Sequence, residues 1–147
     1  RWTQTRDSVM AMKELWTAVE SKYDGSHFKF PPVYSFPRPV QRPHPPVLLG
    51  GMARNVFRRV VEWGDGWIPV TGPEEAKAGR ETLDTLAREA GRDPSTIEVT
   101  AVTQRVEREL TRRYEDARVD RLVYLMPPAE SDKLAVELER IAGETLG

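Results

Sequence analysis

The chain has 147 residues, enough for one domain with a real core, since domains commonly run about 100 to 150 residues. Its net charge of −1, with Lys and Arg interleaved among Asp and Glu, leaves no basic face for a phosphodiester backbone and excludes nucleic acid as a partner. Cysteine is absent, which excludes disulfides, thiolate metal sites and cysteine nucleophiles. No apolar run approaches the roughly 20 residues of a membrane span, so no membrane partner and a cytoplasmic location are expected.

The first residue, Arg1, already stands in a helix-forming pattern, with no signal peptide and no initiating methionine, so a piece of a longer chain is expected. From Asp7 to Tyr23, Val9, Met12, Leu15, Trp16 and Val19 recur at spacings of three and four. This predicts an amphipathic helix within residues 1–25, closed by Gly25 as its C′ residue. Between His27 and Pro46 stand Pro31, Pro32, Pro37, Pro39, Pro43 and Pro45, which rule out helix and disfavour an interior strand. Residues 26–46 are therefore expected to form an extended loop, pinned down by Phe28, Phe30, Tyr34 and Phe36.

The rest of the chain is organised around Arg42 to Thr71, which reads as strand, glycine turn, helix, strand. Pro45 and Pro46 extend the backbone on entry, and Val47 to Leu49 is an apolar run expected to be buried on both faces. Gly50 and Gly51 then permit a sharp turn into a helix. Bare glycines between a strand's carboxyl end and a helix amino terminus let an anion approach backbone N–H groups, where the helix dipole places roughly half a positive charge. The competing reading is a plain strand-to-helix connection. The pair lacks the spacing of a dinucleotide fingerprint and the ending of a nucleotide-phosphate loop.

Val56, Phe57, Val60 and Val61 mark the following helix, ended by Gly64, and Asp65-Gly66 leads into a strand over Trp67 to Val70. Pro73, with Glu74 and Glu75, starts a helix that stops at Gly91. Ile97 to Thr103 alternates as a strand does, and Val106, Leu110, Tyr114 and Ala117 mark another helix. Leu122 to Met126 is a continuous apolar strand stopped by Pro127-Pro128, and Leu134, Leu138 and Ile141 mark the last helix. Residues 47–147 thus hold consecutive strand-plus-helix units, which implies a parallel sheet. Four such units look like half of an eightfold β/α barrel, which typically takes about 250 residues, with a small open α/β sandwich as the alternative.

No endogenous chemistry stands out. His27 and His44 are the only histidines and have no carboxylate at ligand spacing, so no metal site is expected. Ser35, Ser95 and Ser131 lack the setting of a strand-to-helix nucleophile elbow, and the neighbouring glutamates fall on solvated helix faces. A phosphate cradle without nucleophile, metal or poised base points to a bound cofactor as the chemical agent. A phosphate-binding barrel of the aldolase or isomerase kind is disfavoured, because no Lys lies on a predicted strand to form a Schiff base.

An ordered set of residues carries a resemblance. Pro37-Arg38-Pro39-Val40-Gln41-Arg42-Pro43-His44-Pro45-Pro46, the strand to Gly50-Gly51, Arg58-Arg59, Gly64-Asp65-Gly66-Trp67 and Ala90-Gly91-Arg92-Asp93-Pro94 resemble the carboxyl-terminal half of the luciferase-like monooxygenase family. The resemblance runs from about Arg6 to Ala142 and is greatest to the branch that uses the deazaflavin coenzyme F420. It implies a β/α barrel binding coenzyme F420, or alternatively flavin mononucleotide (FMN), at the strands' carboxyl ends. Residues 46–51, 67–70, 97–103 and 122–126 would be the fifth to eighth strands. Gly50, Gly51 and the backbone N–H groups of Met52 and Ala53 would lie by the cofactor phosphate. Met52 and Ala53 stand where relatives place Ser or Thr, which removes a hydroxyl contact but leaves the backbone cradle.

Arg118 stands where relatives often have Gly, a difference that touches packing. Trp67 and Thr71 are further pocket candidates, with Trp67 more readily a core residue, and catalytic residues stay unassigned. The first four strands have no counterpart. The resemblance therefore implies an oxidoreductase acting on a small-molecule substrate and incomplete in this chain, with a missing amino-terminal half barrel or a second copy as partner. The alternative is a non-catalytic half barrel that serves as a binding or assembly module.

Overall fold

In the computed structural model, which describes residues 1–126, 128 and 130–145, the chain begins with helix α1 (Trp2–Thr17). The helix stops short of Tyr23. The Glu14 carbonyl accepts the Ala18 N–H at 3.0 Å and the Ser21 hydroxyl at 3.2 Å, and the chain then enters an antiparallel hairpin, β1 (Ser21–Asp24) and β2 (Lys29–Val33). Gly25 belongs to the hairpin connection rather than to a helix end, with its N–H on the Phe28 carbonyl at 2.9 Å. The expected loop over 26–46 is corrected accordingly. Pro31 and Pro32 lie within β2 where the register shifts between the Ser21–Val33 and Tyr23–Phe30 pairs; consecutive N–H groups point to opposite sides of a strand, so the open edge tolerates one proline and the irregular pairing the other.

Asp7, buried on α1, anchors this hairpin. Its carboxylate accepts the Tyr23 hydroxyl at 2.7 Å, the His27 N–H at 2.6 Å and the Phe28 N–H at 3.0 Å. The Tyr23 hydrogen bond, with the backbone donors, outweighs burial and holds the carboxyl below its usual range. Phe30 stacks on Tyr23 at 6.0 Å between ring centroids. Phe28, Tyr34 and Phe36 are exposed, so of the four aromatics expected to pin the segment only Phe30 packs in this way.

The chain divides into two compact units, residues 1–47 and 48–147. The second contains β3 (Leu48–Gly50), α2 (Val56–Trp63), β4 (Gly66–Ile68), α3 (Pro73–Glu89), a short 3-10 turn (Pro94–Thr96), β5 (Glu98–Thr103), α4 (Arg108–Asp116), β6 (Arg121–Tyr124) and α5 (Ser131–Thr145). The strands are parallel in the order β3-β4-β5-β6, as the alternation of elements requires. Leu49 pairs with Trp67, and Trp67 with Val99, so these three side chains share one face of the sheet. All three are buried, together with Val56, Val60, Ala76, Leu83 and Ala87 of α2 and α3.

At the other end of this core sits Arg80 of α3, buried with its guanidinium fully engaged. It donates to the Asp84 carboxylate at 2.8 Å and to the Ile97 and Pro94 carbonyls at 2.7 Å each. Asp84 also accepts a hydrogen bond from Arg118. Burial raises the Asp84 pKa, but the hydrogen bonds and charges of Arg118 and Arg80 outweigh it, and the net shift is downward.

Two expected strands differ in burial. Leu49 is buried but Val47 and Leu48 are half-buried, and β6 ends at Tyr124 with exposed and half-buried residues alternating. Among the described residues β6 pairs only with β5, so it is an edge strand, as the last strand of a half barrel is expected to be. Leu138, expected on the buried stripe of α5, is exposed. Pro127, expected to stop the strand, lies outside the described residues. No helix among the described residues is long and apolar enough to cross a membrane.

Candidate functional site at the carboxyl ends of the strands

Because the four strands run in parallel, Gly50, Ile68, Thr103 and Tyr124 all end at the same edge of the sheet. Open α/β sheets and β/α barrels bind ligands at that edge, where the loops converge. The loop after β3 is the glycine turn. Gly50 closes the strand opposite Ile68. A Cβ on Gly50 would meet the Ile68 carbonyl oxygen at 3.6 Å, an ordinary contact, so space does not demand glycine there. Gly51 is different, with φ at +93°, in the region that favours glycine.

The four residues expected at the site are thus contiguous and exposed, but not quite as expected. α2 does not start at the glycines. Asn55 is its N-cap, and the Ala53 carbonyl first accepts the Val56 N–H at 2.8 Å. Met52 and Ala53 therefore lie in a loop one tight turn ahead of the helix, because a residue in Gly51's conformation cannot itself begin a right-handed helix. No hydrogen bond among the described residues engages the Met52 or Ala53 amide.

Trp67 does not reach a pocket. It is fully buried, its ring meets Phe57 of α2 edge-on at 4.9 Å, and a Cβ on Gly79 of α3 would fall 2.2 Å from its ring carbons. Only a residue without a Cβ lets α3 lie this close. Its one polar atom, Nε1, donates to the Gly51 carbonyl at 2.9 Å. Thr71 is half-buried, and its carbonyl accepts the hydroxyl of buried Tyr114 at 2.7 Å, which ties the loop after β4 to α4.

Beyond β5 and β6 lies a cavity of about 490 Å³ lined by Gln104, Tyr124, Leu125, Met126 and Pro128. The Tyr124 hydroxyl donates to Glu137 of α5 at 3.2 Å, and Glu137 accepts two hydrogen bonds from Arg140 at 2.8 and 2.9 Å. Burial, and then the Glu137 hydrogen bond, push the Tyr124 phenol up, so it is a neutral hydroxyl at neutral pH. In the sequence Tyr124 stands within the apolar run Leu122 to Met126 and is not singled out as a site residue. The available signal was a polar tip on a strand's last residue, at the edge where parallel sheets place their sites.

The motif residues after α3 prove structural. Gly91 has φ at +70°, and the Arg92 guanidinium donates to the Val60, Val61 and Gly64 carbonyls at 3.0, 3.1 and 2.8 Å, closing the carboxyl end of α2. Asp93 caps the 3-10 turn through the Ser95 N–H at 2.9 Å.

Luciferase-like monooxygenases match this chain over residues 1–134. The chain belongs to the luciferase-like monooxygenase family. An uncharacterized protein of Mycobacterium tuberculosis is 32% identical over 146 residues, which is 98% of this chain and 51% of that protein. The FMNH2-dependent dimethylsulfone monooxygenase of Pseudomonas putida is 32% identical over 66 residues, 43% of this chain and 18% of that protein. An F420-dependent secondary alcohol dehydrogenase, solved with an F420-acetone adduct, superposes with a TM-score of 0.57 at 17% identity, over 96% of this chain and 52% of that one. This luciferase-like chain spans about half the length of its mycobacterial relative, and its β/α units form half of a β/α barrel.

Proposed function

We propose that this chain supplies the cofactor-phosphate half of a flavin- or deazaflavin-dependent oxidoreductase site, with coenzyme F420 as the cofactor and FMN as the alternative. The Gly51 turn carries this reading. It lies at a strand's carboxyl end, its left-handed residue leaves no side chain over the loop, and the Met52 and Ala53 amides are exposed and uncommitted. The residues present therefore fit a phosphate through backbone N–H groups alone. When bound, the reduced ring system supplies the hydride or electrons.

The chain's own residues bind and orient. Gly50 to Ala53 would hold the phosphate, while Gln104 and Tyr124 offer neutral donors and acceptors in the cavity beyond β5 and β6, suited to a small uncharged substrate group. Two of the proteins named above, the Pseudomonas putida monooxygenase and the secondary alcohol dehydrogenase, are FMNH2- and F420-dependent respectively, which supports the cofactor class. The site toward the ring and substrate would be completed by an amino-terminal half barrel or a second copy.

The test is a fluorescence-anisotropy titration of the full-length protein with F420 and with FMN. Saturable binding of either supports the reading, and the tighter ligand identifies the cofactor. Absence of binding for both at 100-fold excess over protein overturns it in favour of a non-catalytic binding or assembly module.

A further inference from the structure

We propose that Trp67 is the positioning residue of the glycine turn, holding the Met52 and Ala53 amides where a phosphate-bearing ligand meets them. The phosphate part of this inference rests on the function proposed above; the control of the turn by Trp67 does not.

Three observations converge on the indole. First, its position is determined from three sides: Leu49 beside it in register on β3, Phe57 edge-on from α2, and Gly79 of α3 against the ring carbons. A fully buried ring held this way has no alternative rotamer within reach. Second, its N–H is spent on the Gly51 carbonyl at 2.9 Å, so a rigid core group reaches out to one peptide of an exposed loop. Third, that peptide follows the residue with φ at +93°, and its plane carries the Gly51 carbonyl on one side and the Met52 N–H on the other. A peptide unit is planar, so fixing its carbonyl toward Trp67 directs the Met52 N–H the opposite way, away from the core. The indole thereby sets the orientation of the first amide of the cradle. Without it, the turn is an exposed glycine loop free to rotate that peptide.

Trp67→Phe keeps most of the packing and deletes the donor. We expect it to remain folded and to bind FMN about fivefold more weakly, the effect of losing one ordinary hydrogen bond. Riboflavin, which has the same ring and no phosphate, should bind with unchanged affinity. The ratio of FMN to riboflavin affinity is the deciding quantity, because a general loosening of the core would weaken both ligands together. Leu83→Val, which loosens the buried core without altering any of the three groups that hold the indole, should leave the ratio unchanged.

The second arm needs no ligand. In the nitrogen-15 NMR spectrum of the wild-type protein, the Trp67 indole N–H should exchange slowly with solvent, and Trp67→Phe should displace the Gly51 and Met52 amide resonances more than those of Asn55. An unchanged FMN-to-riboflavin ratio in Trp67→Phe, in a protein that does prefer FMN, overturns the proposal. If the wild type prefers F420 instead, the same ratio is taken between F420 and its phosphate-free deazaflavin chromophore; if it prefers neither phosphate-bearing ligand, the phosphate reading has failed, and the amide resonances alone judge Trp67: displacement supports its control of the turn, and unmoved resonances overturn it. If Trp67→Phe does not fold, the wild-type indole decides, and exchange at the rate of a free indole overturns the proposal.

Discussion

One indole ring joins two glycines that serve opposite ends of its function. Gly51 supplies a backbone conformation, and Gly79 supplies room. Replacing either should therefore fail differently. Gly51→Asp introduces a carboxylate beside the proposed phosphate and a side chain at φ +93°. It should lower affinity for F420 and FMN tenfold or more, since one charge-assisted hydrogen bond is worth about 1.5 to 3 kcal/mol and repulsion adds to its loss. Glu139→Lys, exposed on α5, changes charge elsewhere and should leave binding unaltered. A folded Gly51→Asp protein with unchanged affinity for both cofactors would reduce the glycines to a connection. Gly79→Ala instead places a methyl into the Trp67 ring and should destabilise the fold by about 1 to 3 kcal/mol, read as a lower urea midpoint with an unchanged slope.

At the scale of elements, arginines add polar ties to the apolar contacts that join neighbouring helices and strands. Arg92 closes α2 through three carbonyls, so Arg92→Ala leaves buried acceptors short of a donor. A loss of about 1.5 to 3 kcal/mol is expected by denaturant titration, while Arg92→Lys, with one compact ammonium, should recover only part of it.

Asp84 ties α3 to Arg118 and Arg80, and its pKa is depressed in the folded chain. The unfolded chain thus binds the proton more readily, near the ordinary value of about 3.9. The Asp84 contribution is complete above that value and declines as pH falls through the lower folded-state pKa. Asp84→Asn should therefore be markedly less stable than wild type at pH 6 and differ from it much less at pH 2.5. Thermal midpoints of the two proteins at both values provide the measurement, and a pH-independent gap would contradict the assignment.

For the molecule as a whole, the parallel sheet of residues 48–147 stops at β6, which pairs on one side only among the described residues. Val123 and Leu125 are 38% and 53% exposed along and just beyond this strand. Unpaired strand edges with apolar side chains recruit further strands. The isolated chain should therefore self-associate at micromolar concentration, and sedimentation should show dimers or larger species. A stable, well-folded monomer under those conditions would refute this. Lys substitution of Val123 should shift the distribution toward smaller species, since a charge on an edge opposes pairing.

The β/α order of residues 48–147 was legible in the sequence because each unit carries its own punctuation: glycine or proline at the boundaries, a three-four stripe in the helix and a short aliphatic strand. Local chemistry sufficed for those elements. The location of the glycine turn was legible for the same reason. The β1–β2 hairpin was not, because proline density argues against interior strands and nothing local announces that β2 lies at an edge. Nor was the true start of α2, which depends on the conformation Gly51 adopts. The bond from Trp67 to Gly51 joins residues on different strands and exists only once Leu49 and Trp67 are in register. Sequence alone thus determined which elements form and where a cofactor-binding turn could lie, since those follow from interactions along the chain. Tertiary structure alone decided that Trp67 latches the turn and that Arg92 and Arg80 join helices to their neighbours. Those properties belong to pairs of residues brought together across the chain by folding.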